Sequence, residues 1–183
     1  MGLATKRLTL RQWKDEDCLK FAALNADQSV MEFFPKILSR SESDEMADKI
    51  RSLIENHGWG LWAVELKESG EFIGFTGLHQ PNINLPFSPC VEIGWRLANK
   101  YWGSGYAPEA AREALQFAFI NLKLEEVVSF TTLNNHRSQS VMRSIGMANT
   151  NQNFMHPDFD SSNPLKEHVL FKINRSRWID SAL

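Results

Sequence analysis

The sequence predicts an α/β fold of the α+β type, in which helices flank a central mixed, mostly antiparallel β-sheet. Two strand patterns, 60–66 and 72–78, are separated by the polar turn 67–71 and predict an antiparallel hairpin. Further along, strand patterns at 91–97 and 127–132 enclose a long helical stretch, which predicts a parallel pair joined by a right-handed crossover. The 183 residues contain no repeat, low-complexity tract or long linker, so we expect a single domain.

The first third of the chain predicts one strand and two helices. Residues 7–13 alternate apolar with polar side chains, which is typical of a strand. A helix is predicted at 15–25, because acidic residues occupy its first turn. Ser39 and Glu42 have the spacing of a capping box, in which each side chain bonds an otherwise unpaired amide, and Gly58 is suited to end the helix that they begin.

Local patterns also place the elements of the second half. The stretch 108–123 is rich in Ala, Leu and Phe and begins with a proline, which the first helical turn tolerates. A short helix is predicted at 138–145 and a last strand at 168–173. The proline-bearing segment 82–89 is predicted to be a loop.

Composition narrows the function classes. The net charge of −2 and the lack of a basic stripe argue against a nucleic acid or an anionic membrane as partner. Cys18 and Cys90 lie far apart without metal-ligand spacing around them, so we expect no metal and a reducing compartment. No apolar run approaches the roughly 20 residues that span a bilayer, and no signal-peptide pattern opens the chain. We therefore expect a cytoplasmic protein.

A glycine-rich turn precedes the long helical stretch. Gly103 and Gly105 allow the backbone to turn sharply and to approach a ligand closely, and Pro108 suits the first helical turn. Free amides and the helix dipole would make this turn an anion site that fits a pyrophosphate. It lacks the third glycine of a dinucleotide fingerprint and the Gly-Lys-Ser/Thr of a P-loop, so a nucleoside triphosphate is not favoured. In isolation, such a turn is more often only structural.

A second motif follows strand pattern 127–132. Asn135 and Ser138 are three residues apart, and the apolar helical stretch after them ends at Gly146. By itself this is the pattern of a helix cap and stop. Its pairing with the upstream glycine-rich turn, across one helix and one strand, indicates a ligand site.

Together the two motifs resemble a known family. The stretch VEIGWRLANKYWGSGYAPEAAREAL, followed by EEVVSFTTLNNHRSQSVMRSIGM, is similar to the acetyl-CoA-binding core of GNAT acetyltransferases. More narrowly it resembles the RimJ/RimL branch, which includes the ribosomal-protein N-terminal acetyltransferases and combines an E-x-G-[WY] strand, a W-G-x-G-Y-A turn and an N-x-x-S segment. The similarity extends over residues 6–178. It implies one N-acetyltransferase domain with the GNAT fold, whose parallel strand pair lies at the acetyl-CoA site.

The resemblance implies an enzyme that moves the acetyl group of acetyl-CoA directly onto a primary amine in a ternary complex. The acceptor would be the α-amine of a protein N-terminus or a small-molecule amine. The alternative is a CoA-binding regulatory or sensor protein with little catalysis on the same scaffold, because this chain has no Tyr after its N-x-x-S segment to protonate the departing thiolate. Dimers occur in the family, so a homodimer is also considered.

The resemblance also implies the cofactor contacts. Backbone amides of the glycine-rich turn would hold the pyrophosphate, and the backbone of the preceding strand would pair with the pantetheine arm like an added strand. Arg137 and Arg143 would either contact the 3′-phosphate or be solvated. The implied cofactor-binding residues are Trp95, Arg96, Leu97, Gly103, Ser104, Gly105, Tyr106, Ala107, Asn135 and Ser138.

For catalysis, the resemblance points to Glu92 as the general base that deprotonates the ammonium, directly or through a water. The other interpretation of Glu92 is a solvated or salt-bridged strand carboxylate. His79 is a second candidate base, although a histidine at a strand end is more often a partly buried hydrogen-bonding group. Ser138 is the candidate for orienting or protonating the thiolate, unless it only caps its helix.

The acceptor site is predicted less directly. The loop 31–38 is the expected substrate lid, because relatives build acceptor specificity between the first two helices. Asp158 and Asp160 would attract a cationic acceptor or would belong to a turn. Several aromatic residues would line the acceptor site or pack in the core: Trp13, Trp59, Trp62, Phe33 and Phe34.

Overall fold

The predicted fold class is confirmed: a nine-stranded mixed sheet with flanking helices forms within residues 2–182, the part of the chain that the computed structural model describes. The strands are β1 (Leu3–Ala4), β2 (Leu8–Arg11), β3 (Leu61–Leu66), β4 (Phe72–His79), β5 (Glu92–Leu97), β6 (Glu126–Thr132), β7 (Ala148–Asn149), β8 (Phe154–Met155) and β9 (Glu167–Asn174). The helices are α1 (Asp17–Ala26), α2 (Arg40–His57), α3 (Tyr106–Gln116), α4 (His136–Ser144) and α5 (Arg175–Ala182).

The strand order is β1-β2-β3-β4-β5-β6-β9-β7, and β8 pairs with β9. The predicted β3–β4 hairpin is antiparallel, as are the other pairings of the sheet except that of β5 with β6. This parallel pair is joined through α3, as the strand–helix–strand order predicts. The short strands β1, β7 and β8 were not predicted, because two residues are too few to show a periodic pattern.

Local capping signals fix the ends of α2. The Ser39 side chain accepts a hydrogen bond from the Glu42 amide while the Glu42 carboxylate accepts one from the Ser39 amide, and Gly58 ends the helix with a left-handed φ of 77°. The predicted helix 15–25 begins later, at Asp17, because the Asp17 carboxylate turns back to accept the Lys14 N–H at 2.8 Å. The predicted helix 108–123 begins earlier, at Tyr106, and widens past Gln116 into a π-helical turn.

The two faces of the sheet carry different helices. Neighbouring residues of a strand point to opposite faces. On one face, Trp62 packs edge-on against Phe117, which directly follows α3, with ring centroids 5.4 Å apart. On the other face, Phe75 and its register partner Arg96 lie beneath α1, where Phe75 meets the Phe21 ring at 5.9 Å. Since α2 packs against α1, the pair α1–α2 covers one face and α3 the other.

The parallel strands β5 and β6 meet at one end and then separate. Glu92 pairs with Val128, whose N–H donates to the Val91 carbonyl at 3.0 Å. At the next residue of each strand, β6 is linked to β5 by a side chain: the Ser129 hydroxyl donates a hydrogen bond to the Ile93 carbonyl at 2.9 Å. Beyond that point no pairing of β5 with β6 is recorded within residues 2–182. A gap therefore opens through the sheet.

Candidate active site

A cleft of about 900 Å³ occupies the gap between β5 and β6 and reaches both faces of the sheet. The turn before α3 and the start of α4 border it on one face, and the segment after α1 borders it on the other. All residues predicted to contact the cofactor line this cleft except Ser104, and both candidate bases line it as well. The predicted residues that it brings together are Trp95, Arg96, Leu97, Gly103, Gly105, Tyr106, Ala107, Asn135, Ser138, Glu92 and His79.

The backbone of β5 presents an open edge to the cleft. Consecutive carbonyls of a strand point in opposite directions, and that of Gly94 faces β4, where it accepts the Thr76 hydroxyl at 3.0 Å. The carbonyls of Trp95 and Leu97 therefore face the gap. The Leu97 carbonyl is bonded by the Trp102 indole N–H at 2.8 Å. Because β6 has already separated, no strand among the described residues pairs with the N–H and C=O of Trp95 on this side.

The glycine-rich turn depends on left-handed backbone at Gly103 and Gly105, whose φ angles are 74° and 77°. Gly105 is the N-cap of α3 and supplies no side-chain cap, so the first amides of the helix stay open to an anion. Arg7 holds this turn without lining the cleft. Its Nη1 donates to the Ser104 carbonyl at 2.9 Å, and its Nε donates to Glu109 at 2.6 Å.

Asn135 acts as the cap that its spacing predicts. Its Oδ1 accepts the Ser138 N–H at 3.1 Å, and its Nδ2 donates to the Thr131 hydroxyl at 2.9 Å. The Ser138 hydroxyl lies in the cleft wall, and within residues 2–182 the structure records no hydrogen bond from it. The start of α4 thus offers the cleft one hydroxyl that is not used by the fold.

Glu92 and His79 form an ion pair at the closed end of the gap. They are direct register partners in β4 and β5, with 2.8 Å between His79 Nε2 and Glu92 Oε2. Burial lowers the pKa of His79, but its hydrogen bond to Glu92 and the charge of that carboxylate outweigh this effect and raise the pKa above its ordinary value of 6.5. Glu92 is thus paired with His79 in the structure, and both residues still face the cleft.

A second histidine pair, His156 and His168, lies in the cleft wall with ring centroids 4.7 Å apart. The Asp158 N–H donates to His156 Nδ1 at 3.2 Å, so the proton of that neutral ring is on Nε2. His168 Nδ1 lies 3.1 Å from the Lys166 carbonyl, which can only accept, so Nε2 of His168 is unprotonated. Burial lowers the pKa of both rings, that of His168 to about 4. Both rings are therefore neutral near pH 7.

The buried His168 is expected to make the protein sensitive to acid. Its pKa is lower in the folded state than its ordinary value of 6.5, so below pH 6.5 the unfolded chain binds more protons and stability falls as pH falls towards 4. Replacing His168 with Gln should shrink the loss in free energy of unfolding between pH 7 and pH 4.5 by about 2 kcal/mol. Urea unfolding at the two pH values measures this. An unchanged loss would contradict a neutral, buried His168.

The segment predicted to be a substrate lid does border the cleft, through Phe33 and Phe34 among others. Glu32, in the same segment, forms an ion pair with Arg137 of α4 at 2.6 Å. The Arg137 guanidinium also lies 4.5 Å from the ring centroid of Trp102. Arg137 thus contacts a carboxylate and an indole at the cleft rim, while 56% of its side chain remains exposed to solvent.

Other residues predicted for the acceptor or phosphate contacts lie away from the cleft. Trp13 and Trp62 are core residues, only 4% and 1% exposed: β3 turns Trp62 inward, and Trp13, which follows β2, packs against the Phe21 ring at 4.8 Å. Trp59 also packs against the core and does not line the cleft. Neither Asp160 nor Arg143 is part of the cleft wall, and Arg143 donates to the neighbouring Gln139 at 3.1 Å.

Three residues of the site have no signal in the sequence. Arg7 reaches the glycine-rich turn from the other end of the chain, and His156 and His168 come together from separate segments. None of them belongs to a motif with fixed spacing. Within residues 2–182, no group of His, Cys, Asp or Glu side chains could hold a metal ion. No helix in this part of the chain has both the length and the hydrophobicity of a membrane-spanning segment.

The sequence and the fold were compared with those of known proteins. The profile of the family described as "Acetyltransferase (GNAT) domain" matches residues 7–148. The uncharacterized protein YkkB of Bacillus subtilis is 31% identical over 146 residues, which cover 79% of this chain and 84% of that protein. An FsC-acetyl coenzyme A-N(2)-transacetylase of Aspergillus fumigatus is 35% identical over 67% of this chain and 53% of that protein. A solved GNAT-family acetyltransferase from Bacillus anthracis has the same fold, with a TM-score of 0.81, 23% identity and coverage of 96% and 99% of the two chains.

Proposed function

Because the chain belongs to the GNAT acetyltransferase family, we propose that it transfers the acetyl group of acetyl-CoA directly to a primary amine. One observation carries the proposal: a single cleft joins the open strand edge at Trp95 to the uncapped N-terminus of α3 after Gly105. Within the family, the three sequence motifs favour the RimJ/RimL branch.

The residues present fit acetyl-CoA in their chemistry. The free N–H and C=O of Trp95 suit an amide-bearing pantetheine arm that adds to the strand edge. The peptide groups of Arg96 face β4, so this pairing falls to Trp95 and the neighbouring Leu97 N–H. The open amides and positive end of α3 suit the pyrophosphate. When bound, acetyl-CoA supplies an activated acetyl thioester.

We assign to Glu92 and His79 the removal of the proton from the acceptor ammonium. The amine must be neutral to attack a thioester, and a positioned base contributes about 10²- to 10⁴-fold to such a step. When His79 is neutral, the pair can accept one proton, which the 2.8 Å hydrogen bond then shares between ring and carboxylate. The unused hydroxyl of Ser138 is the candidate hydrogen-bond donor to the departing sulfur.

The proposal is tested in two steps on the purified protein. Calorimetry measures acetyl-CoA binding, and a thiol assay then measures CoA release with spermidine, with peptides that carry Ser or Ala at the N-terminus, and with free amino acids. We expect saturable binding and a release of CoA that depends on the amine. Binding without release for every amine would favour a CoA sensor instead. A folded protein that binds no acetyl-CoA at millimolar concentration would contradict the proposal.

A further inference from the structure

Arg96 is a buried guanidinium in the cleft wall that forms no ion pair within residues 2–182. The residue is 8% exposed, its Nη1 donates to the neutral Asn25 Oδ1 at 2.6 Å, and its Nε is buried without a hydrogen-bond partner. Burial lowers its pKa to about 10, so it remains charged at neutral pH. A buried cation is ordinarily offset by an anion. Here none of the residues that the structure describes provides one.

The guanidinium is held in one orientation by its neutral neighbours. Its central carbon lies 4.0 Å from the ring centroid of Phe34 and 5.4 Å from that of Phe75. Asn25 is locked in turn, because its Nδ2 donates to the buried Ser43 hydroxyl at 2.9 Å and thus turns its oxygen towards Arg96. A fixed cation loses little conformational entropy when an anion binds to it.

Arg96 shares a strand face with the proposed base. Glu92, Gly94 and Arg96 alternate along β5 and point to the same side, beneath the α1 face. Gly94 lies between them, lines the cleft, and has open space where a Cβ would project. From the Cα of Gly94, that of Arg96 is about 7 Å away along an extended strand. Along this side of the cleft, β5 therefore presents in order the carboxylate of Glu92, the uncovered backbone of Gly94 and the guanidinium of Arg96.

On the basis of the proposed function, we infer that the acceptor is a free amino acid whose carboxylate binds Arg96. Its amine lies over Gly94, within reach of the Glu92–His79 pair and next to the open strand edge at Trp95. The zwitterion complements both charges of the strand face. Phe33 and Phe34 on the facing segment suit an apolar or aromatic side chain. A polyamine, by contrast, would set a second cation against Arg96.

The test compares matched pairs of acceptors that differ only in the carboxylate: phenylalanine with phenethylamine, and lysine with cadaverine. Initial rates of CoA release are measured for the wild type, Arg96→Gln and Arg96→Lys. Calorimetric binding of phenylalanine in the presence of saturating CoA provides a readout that needs no turnover. Loss of a buried charge partner should raise the KM for the amino acid in Arg96→Gln by about 30-fold or more. The KM for the decarboxylated partner should stay the same or fall, because that amine has no carboxylate to lose its partner and no longer faces a second cation, and Arg96→Lys should be intermediate.

The ratio of the rates with the amino acid and with its decarboxylated partner separates recognition from folding. If Arg96 had only a structural role, its replacement would lower both rates alike. Equal losses in Arg96→Gln would overturn the inference. So would a wild-type enzyme that acetylates decarboxylated amines or peptides but no amino acid. In those cases acetyl-CoA still binds and CoA is still released, so the proposed function stands. If acetyl-CoA does not bind at all, the proposed function fails first.

Discussion

Replacing Gly105 with glutamate is expected to weaken acetyl-CoA binding by about 100-fold or more, since juxtaposed like charges cost several kcal/mol. Gly105 lies in the cleft wall at the N-cap of α3, with a left-handed φ of 77°. A Cβ at this position would lie 3.5 Å from Arg7 Nη2, so the glutamate would add a carboxylate beside the turn whose amides are proposed to receive the pyrophosphate. Calorimetric titration of acetyl-CoA into wild type and variant measures the effect.

The substitution also strains the backbone, and Gly70→Glu is the matched control for that cost. Gly70 has a φ of 68° in the hairpin turn between β3 and β4, with open space where a Cβ would project and no part in the cleft. Both variants should therefore lose a similar amount of stability, roughly 1–2 kcal/mol from the left-handed conformation. Only Gly105→Glu should lose the cofactor. Equal and undiminished binding by both variants would refute the assignment of the pyrophosphate to this turn.

Replacing Glu92 with glutamine is expected to lower kcat by about 100-fold or more, with little change in the KM for acetyl-CoA. The substitution keeps the shape of the side chain but removes the charge that pairs with His79 at 2.8 Å. The matched control is Glu126→Gln, because Glu126 is also an end residue of a strand and also forms a 2.9 Å ion pair, with Lys172. That pair lies outside the cleft, so the control should retain its kcat. A fully active Glu92→Gln would leave Glu92 with a structural role.

The pH profile of the wild type should carry the signature of the same pair. Below the raised pKa of His79 the ring is protonated and donates to Glu92, so the pair cannot take a further proton. Above that pKa the ring is neutral and can accept one. Thus kcat/KM should rise with pH through a value above 6.5. His79→Gln should abolish this rise of kcat/KM with pH. If the rise persists in the variant, it reflects the titration of the acceptor amine and not that of the His79–Glu92 pair.

The same pair predicts an opposite trend for stability. Because the pKa of His79 is higher in the folded protein than in the unfolded chain, its interaction with Glu92 stabilises the fold fully at pH values below the unfolded-state pKa. This stabilisation is lost as the pH rises through the folded-state pKa. Glu92→Gln should therefore cost more free energy of unfolding at pH 6 than at pH 9. Urea unfolding of wild type and variant at the two pH values checks this. An identical cost at both would mean that the ion pair does not form.

Much of the fold was accessible from local patterns. The capping box at Ser39, the stop at Gly58 and the polar turn of the β3–β4 hairpin each act over a few residues, so the sequence displays them directly. The parallel pairing of β5 with β6 followed from the order of elements along the chain, because a strand, a helix and a second strand commonly form a parallel pair with a right-handed crossover. The glycines of the turn before α3 were recognisable since their left-handed backbone demands that residue type.

Sequence patterns alone therefore predicted most of the longer elements, the pairing of β3 with β4 and the pairing of β5 with β6. The places where side chains from distant segments meet became visible only in the three-dimensional fold. It placed Trp13 and Trp62 in the core, brought His156 next to His168, and left Arg96 as a buried cation that no anion within residues 2–182 pairs with. The physical reason is that helix caps and turns are set by interactions between near neighbours in the chain. Burial and charge pairing instead depend on contacts between elements far apart in sequence, which no local pattern encodes.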